Sequence, residues 1–309
     1  MRSVIQKLTF STCLLLFTTL SFAQKKVCIT IDDLPVVGYG MNSIAEWALV
    51  TDRILSTCEA KGIPAIGYVN ETKIYLGGEL NEERAAILES WLKRGFDLGN
   101  HTFSHADFHK IGIEAFKKEI IKGERYSKTL LPKYGKQLKY FRHPYLRSGA
   151  SEETSHSLDA YLKEKNYTPA PVTLDSDDYL FAQRYARAMQ KGDSARMKEI
   201  GETYVKHTEN KLQFYEKLSE AVFDRNIAHT YLMHANLLNG DYLDEIAEMF
   251  KRNGYEFVSQ EEVLQDPAYN EPVTKFGNWG MSWLYRWALS RDKGRELFKQ
   301  DIELPAIVK

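Results

Sequence analysis

The chain has little cysteine: three residues in 309. Cys13 falls inside an N-terminal apolar run, which leaves Cys28 and Cys58. Cys28 lies in a short apolar stretch, and Cys58 continues the helical stripe Ile44, Trp47, Thr51, Ile54, Leu55. Both read as small buried hydrophobes, not as a zinc pair or a bridge. Excess charge is lacking too. The formal net charge is -1 and no basic stripe stands out, so neither nucleic acid nor an anionic membrane is an expected partner. No glycine-rich phosphate fingerprint follows any apolar run, which argues against nucleotide binding. No repeat of fixed period occurs. The one extended apolar run, Leu8 to Leu20, is short for a bilayer span.

That run instead has the layout of an export leader. Arg2 and Lys7 precede it, and Ser21-Phe22-Ala23 places small residues at the two cleavage-recognition positions. Residues 1–23 are therefore expected to be a signal peptide, with Gln24 first in the mature chain and an uncleaved anchor as the alternative. The expected location is periplasmic or extracellular, with no stable membrane insertion once the signal is removed.

Past the leader, short apolar runs alternate with amphipathic helices. Val27–Ile31 reads as a strand, Ile44–Ala60 as a helix closed by Gly62, and Ile63–Val69 as a second strand. Asn81 caps a helix with Glu82 and Glu83 in its first turn. Phe96–Asn100, Leu138–Arg142, Val172–Leu174 and Ala228–Met233 are further strand candidates. A helix Asp241–Arg252 and a strand Tyr255–Val258 follow, and Ser259 with Glu262 marks a capping box. Such alternation predicts an α/β fold with parallel strands and helical crossovers. The length suits one α/β barrel or two small domains. The barrel is expected over 24–270. Within it, about 179–224 reads as a solvated helical insertion, broken at Lys191-Gly192-Asp193, with a lid as a further option. Residues 271–309 form an aromatic-rich extension, whose Trp279, Trp283 and Trp287 recur every four residues as one helical docking face.

Residues suited to catalysis cluster just after the predicted strands, where an α/β barrel builds its active face. Asp32 and Asp33 follow the first strand, and His101 and His105 the third. Arg142-His143-Pro144-Tyr145 ends the fourth, Asp175 and Asp178 follow the fifth, and His234 ends the sixth. Each has an ordinary structural explanation alone; five such placements with one spatial consequence do not. Asp33 with His101 and His105, whose four-residue spacing can put both rings on one helix face, would supply the three ligands of a catalytic zinc site with an open water position. Such an ion brings the pKa of its water to about 7. Asp32 is placed to take that water's proton, and Arg142 to hold Asp32 ionised. The Tyr145 backbone N–H is the candidate oxyanion donor. His234, held charged by Asp178, is the candidate proton donor to the leaving group.

The residues resemble the motifs of the polysaccharide deacetylase family (NodB homology domain, carbohydrate esterase family 4). Thr30-Ile31-Asp32-Asp33-Leu34-Pro35 looks like its first motif, His101-Thr102-Phe103-Ser104-His105 its second, and Phe141-Arg142-His143-Pro144-Tyr145 its third. Asp175 to Tyr179 is similar to the fourth, with Tyr in place of Trp, and Leu232-Met233-His234 fits the fifth. The resemblance implies a distorted (β/α) barrel and a divalent metal, Zn2+ first, on Asp33, His101 and His105. It implies Asp32 as catalytic base and His234 as catalytic acid. Leu34 stands where the family has Gly, which implies a different turn or a filled pocket edge.

The expected activity is metal-dependent removal of acetyl groups from an N- or O-acetylated polysaccharide or oligosaccharide. Two other readings keep the barrel: a hydrolase of a non-carbohydrate amide of the cyclic imide or ureide type, and an inactive glycan-binding envelope protein. Retention of both aspartates, both histidines, Arg142 and His234 weighs against the last.

Overall fold

The structure, a computed structural model, describes residues 24–309; the leader lies outside the described residues. Eight parallel strands form one curled sheet. They are β1 (Lys25–Leu34), β2 (Ile66–Val69), β3 (Asp97–Asn100), β4 (Tyr140–Phe141), β5 (Thr168–Pro169), β6 (Leu174–Asp175), β7 (His229–His234) and β8 (Tyr255–Phe257). The sheet runs β5-β4-β3-β2-β1-β7-β6, with β8 pairing the start of β1. β1 is central and flanked on both sides, which is why Val27 to Ile31 is apolar at nearly every position and fully buried. The result is a half-barrel ringed by helices. Its sheet stays open between β5 and β6, which the chain crosses through residues 170–173.

The helices begin and end where local chemistry dictates. In α1 (Ile44–Lys61), Ser43 and Glu46 cap one another's backbone N–H groups, and Gly62 terminates the helix at φ 66°. Asn81 caps α2 (Glu82–Lys93) by accepting from the Arg84 N–H. Next come α3 (Phe108–Lys122), α4 (Glu152–Glu164), α5 (Asp178–Gln190), α6 (Ser194–Phe223), α7 (Leu237–Arg252) and α8 (Trp283–Arg291). Several expected strands are shorter than read: Leu138–Arg142 contracts to Tyr140–Phe141, and Val172–Leu174 shifts to Leu174–Asp175. The capping at Ser259 opens only one helical turn, Gln260–Val263.

Two expectations are corrected. The stretch 179–224 is no solvated lid: α5 and α6 break at Gly192 as read, but they form the crossover between β6 and β7 and bury Tyr204, Leu212, Leu218 and Val222 completely. Their charges occupy one face only, and the apolar face packs on the barrel. The tryptophan face is also incomplete. α8 starts at Trp283, so Trp283 and Trp287 are buried, whereas Trp279 precedes the helix and stays half-exposed. The extension fills the open side of the sheet: the Trp283 N–H donates to the Val172 carbonyl at 2.7 Å, and the Ser282 hydroxyl to the Thr173 carbonyl at 2.9 Å. Cys28 and Cys58 are free, buried thiols, and burial pushes each up to about 12.

Candidate active site

The carboxyl ends of β1, β3, β4, β6 and β7 converge on a cleft of about 590 Å³. Asp32, Asp33, His101, His105, Tyr145 and His234 all line it; Arg142 and Asp178 lie immediately behind, fully buried. The sequence-predicted set is thus brought together without exception. Asp33 adopts φ 69° at the end of β1, and both aspartates reach His101: Asp32 Oδ2 lies 3.6 Å and Asp33 Oδ1 3.5 Å from its Nε2. Leu34 is fully buried against Gly67 on β2. A Cβ on Gly67 would lie 2.3 Å from the Leu34 methyl.

One side of the cleft has the chemistry of a cation site. Ligand atoms of Asp33, His101 and His105 lie within 4.8 Å of one another. Asp33 Oδ1 stands 3.5 Å from His101 Nε2 and 3.6 Å from His105 Nε2, is buried, and has no hydrogen-bond partner. His101 Nδ1 is 2.9 Å from the Arg142 carbonyl, which can only accept. The proton therefore sits on Nδ1 and the Nε2 lone pair faces Asp33. Burial first, and the neighbouring His105, hold His101 well below the usual imidazole range; burial likewise lowers His105. Burial would raise Asp33, but Lys73, His105, His234 and His101 outweigh it and keep the carboxylate ionised. One carboxylate and two neutral imidazoles fit a divalent ion such as zinc. The histidines do not share a helix face as expected. Residues 101–107 are irregular, with Thr102 at φ 66° and His105 at φ 56°, and this backbone brings the rings to 4.8 Å.

The cleft also holds two groups suited to proton transfer, one of them, Asp32, directly beside His101. Asp32 is buried, and burial raises it to about 6 against the opposing pull of Arg142. Arg142 Nε lies 3.6 Å from Asp32 Oδ1; its Nη2 donates to the Thr30 hydroxyl at 2.8 Å, and its guanidinium stacks 4.7 Å from the Tyr68 ring centre. His234 Nδ1 is 2.7 Å from Asp178 Oδ1. Burial alone would lower His234, but Asp178 reverses this and pushes it up to about 10. Asp178 Oδ2 accepts from the His234 N–H at 3.0 Å, Asn236 Nδ2 at 3.1 Å and Asn239 Nδ2 at 2.6 Å. Its side chain therefore has no freedom to leave the histidine.

Sequence reasoning missed Lys73, Asn236 and Asn239. Lys73 reaches Asp33 from a 3-10 turn after β2 and donates to its carbonyl at 2.5 Å. Asn236 caps α7, a capping signal legible in the sequence, but its second bond to Asp178 depends on a contact 58 residues away. Tyr145 stands at φ 55° and Leu146 at φ 52°, two successive left-handed residues after Pro144. The Tyr145 ring is 53% exposed and lies edge-on to His105 at 4.4 Å.

Comparison with known proteins agrees with this architecture. A Bacillus anthracis pseudoenzyme of carbohydrate esterase family 4 is 14% identical, with a TM-score of 0.53 over 78% of this chain and 66% of its own. A peptidoglycan N-acetylglucosamine deacetylase, solved with a naphthalenyl benzamide ligand, is 21% identical with a TM-score of 0.52, over 79% of this chain and 90% of its own. A polysaccharide deacetylase from Bacillus cereus is 16% identical with a TM-score of 0.51, over 76% of this chain and 92% of its own. At these identities the likeness concerns the fold. No curated protein matches the chain. Residues 20–169, which carry the first three motifs, match the family model described as polysaccharide deacetylase. That match covers a little under half of the chain, and the half-barrel has the fold of the solved polysaccharide deacetylases.

Proposed function

We propose that the protein is an exported, metal-dependent hydrolase that removes acetyl groups from an N- or O-acetylated glycan. The observation that carries this reading is the one cleft holding the Asp33, His101, His105 triangle between a buried carboxylate, Asp32, and a charged imidazole, His234. Asp33, His101 and His105 would hold the ion, first of all zinc. When bound it would supply Lewis-acid polarisation and a more acidic water. Asp32, at about 6, is ionised at neutral pH yet basic enough to take a proton from the attacking water. Arg142 keeps it charged and oriented. The Tyr145 N–H would stabilise the oxyanion. His234 would deliver its proton to the leaving amine or alkoxide as the bond to the acetyl carbon breaks. Water and the acetylated sugar thus become acetate and a free amine or hydroxyl.

A glycan suits the surface of the cleft. Tyr145 and Tyr179 are large exposed aromatics at its rim, offering faces on which a sugar ring can stack. Secretion rests on the leader pattern of residues 1–23, and among the described residues no helix is long and apolar enough to cross a membrane.

The test is acetate release by purified protein from acetylated chitin oligomers, peptidoglycan fragments and acetylated xylan. Release should vanish with chelator, return with zinc and be absent in Asp32→Asn. Stoichiometric metal with no release from any glycan would move the assignment to a non-carbohydrate amide. Absence of both would leave a glycan-binding protein.

A further inference from the structure

Arg286, on α8 in the C-terminal extension, is fully buried, yet among the described residues no carboxylate offsets its charge. Burial alone lowers it to about 10. An uncompensated buried guanidinium is costly to retain, and its hydrogen bonds show what it holds. Nη2 donates to the Leu146 carbonyl at 2.6 Å and lies 3.5 Å from that of Trp279; Nε reaches the Met281 carbonyl at 3.3 Å. The guanidinium is stacked 4.8 Å from the Trp283 ring centre, which fixes its plane.

The same extension touches the preceding peptide. A Cβ on Gly280 would lie 2.0 Å from the Tyr145 carbonyl oxygen, so only glycine permits this approach. The extension therefore holds the Leu146 carbonyl by a hydrogen bond and packs its backbone closely against that of Tyr145. These are the two residues in left-handed conformation, which for residues with a side chain costs about 1–2 kcal/mol each. Such a turn persists when its surroundings over-determine it. The Tyr145 N–H belongs to the preceding peptide, whose Pro144 carbonyl accepts from the Arg147 N–H at 3.1 Å, and the φ of 55° at Tyr145 couples that plane to the two that follow.

We infer that Arg286, assisted by Gly280, is a positioning residue that aims the Tyr145 N–H at the reacting carbonyl. The C-terminal extension is thereby part of the catalytic structure. This rests on the deacetylase reading above.

The experiment uses the full zinc-loaded chain and compares Arg286→Met, Arg286→Lys and Gly280→Ala, with Lys293→Ala as control. Amide exchange across residues 143–147 is measured beside kcat and KM for acetate release. Arg286→Met should speed exchange there at least tenfold and lower kcat at least tenfold, with KM within twofold. Arg286→Lys, which keeps a donor for Leu146, should recover part of both; the control should change neither. Gly280→Ala should lower kcat in the same way and decides the matter if Arg286→Met does not fold. Wild-type exchange and kcat in these variants would overturn the inference. So would activity lost only in proportion to folded protein, with Arg286→Lys no better than Arg286→Met. If the wild-type protein releases no acetate, the deacetylase reading fails, and unaccelerated exchange in Arg286→Met would still refute the positioning role.

Discussion

Replacing Asp178 by Asn changes one atom and should collapse the pH window of the enzyme. The carboxylate divides its work: Oδ1 faces His234 Nδ1 at 2.7 Å, while Oδ2 accepts three N–H donors. An amide offers one acceptor only. With its oxygen toward the three donors, its NH2 meets the imidazole and disfavours a proton on Nδ1. Burial is then opposed only by the charges of Asp33 and Asp32, and His234 falls from about 10 to its ordinary value of about 6.5 or lower, a change of roughly 5 kcal/mol in proton affinity. In the wild type, Asp32 is ionised above about 6 and His234 is protonated below about 10, so both catalytic forms coexist across neutral pH. In the variant the two limbs nearly meet. At pH 7.5 at most about a tenth of His234 would be charged, so kcat/KM should fall at least about tenfold. The assay is the pH profile of acetate release, paired with NMR titration of His234. An unchanged alkaline limb, or a His234 that still titrates near 10, would refute the reasoning. Stability should change as well. The raised His234 contributes below its unfolded pKa and loses this as pH rises through about 10; the lowered Asp178 contributes above its unfolded pKa and loses this in acid. Breaking the pair should cost about 3–5 kcal/mol between those limits.

Three other outcomes are expected. His101→Ala should abolish stoichiometric zinc, read by elemental analysis after dialysis, while the cooperative melt persists; retained metal would remove His101 from the site. His207 and His229 are buried and pushed down to about 4 and about 3, burial being the main cause in each. Unfolding then takes up protons that the native state refuses, so each should cost about 1.2 kcal/mol as pH falls from 7 to 5.5, measured by denaturant melts; equal stability at both values would contradict the burial of these rings. Gly67→Ala drives a methyl into Leu34 and should cost about 1–3 kcal/mol. Leu34→Ala in the same chain should recover part of that loss, and a strictly additive double variant would show that the two positions do not touch.

Much of the cleft was legible because strand ends announce themselves. An apolar run that stops at Asp32-Asp33, His101 or His234 places a polar group at the sheet's carboxyl edge whatever the rest of the chain does. What surrounds those groups was hidden, since it depends on contacts distant in sequence. Lys73 reaches Asp33 across 40 residues, and Asn239 reaches Asp178 across 61. The HxxxH spacing suggested a helix face, yet the backbone turns through two left-handed residues instead, a geometry residue spacing does not encode. The charge of 179–224 suggested solvent on all sides. Tyr204, which hydrogen-bonds Tyr231 at 2.8 Å and Asn239 at 2.9 Å, shows that the buried face of α6 builds the wall behind the acid pair.

The open side of the sheet has a consequence for how the molecule is made. Residues 170–173 lie between the first strands and the last, but the groups that satisfy Val172 and Thr173 come from Ser282 and Trp283, more than a hundred residues later. During synthesis every catalytic side chain emerges before the segment that seals this seam. A nascent chain can thus carry the complete set of reactive residues without an assembled cleft. Hydrolytic competence would appear only once α8 has docked on this seam.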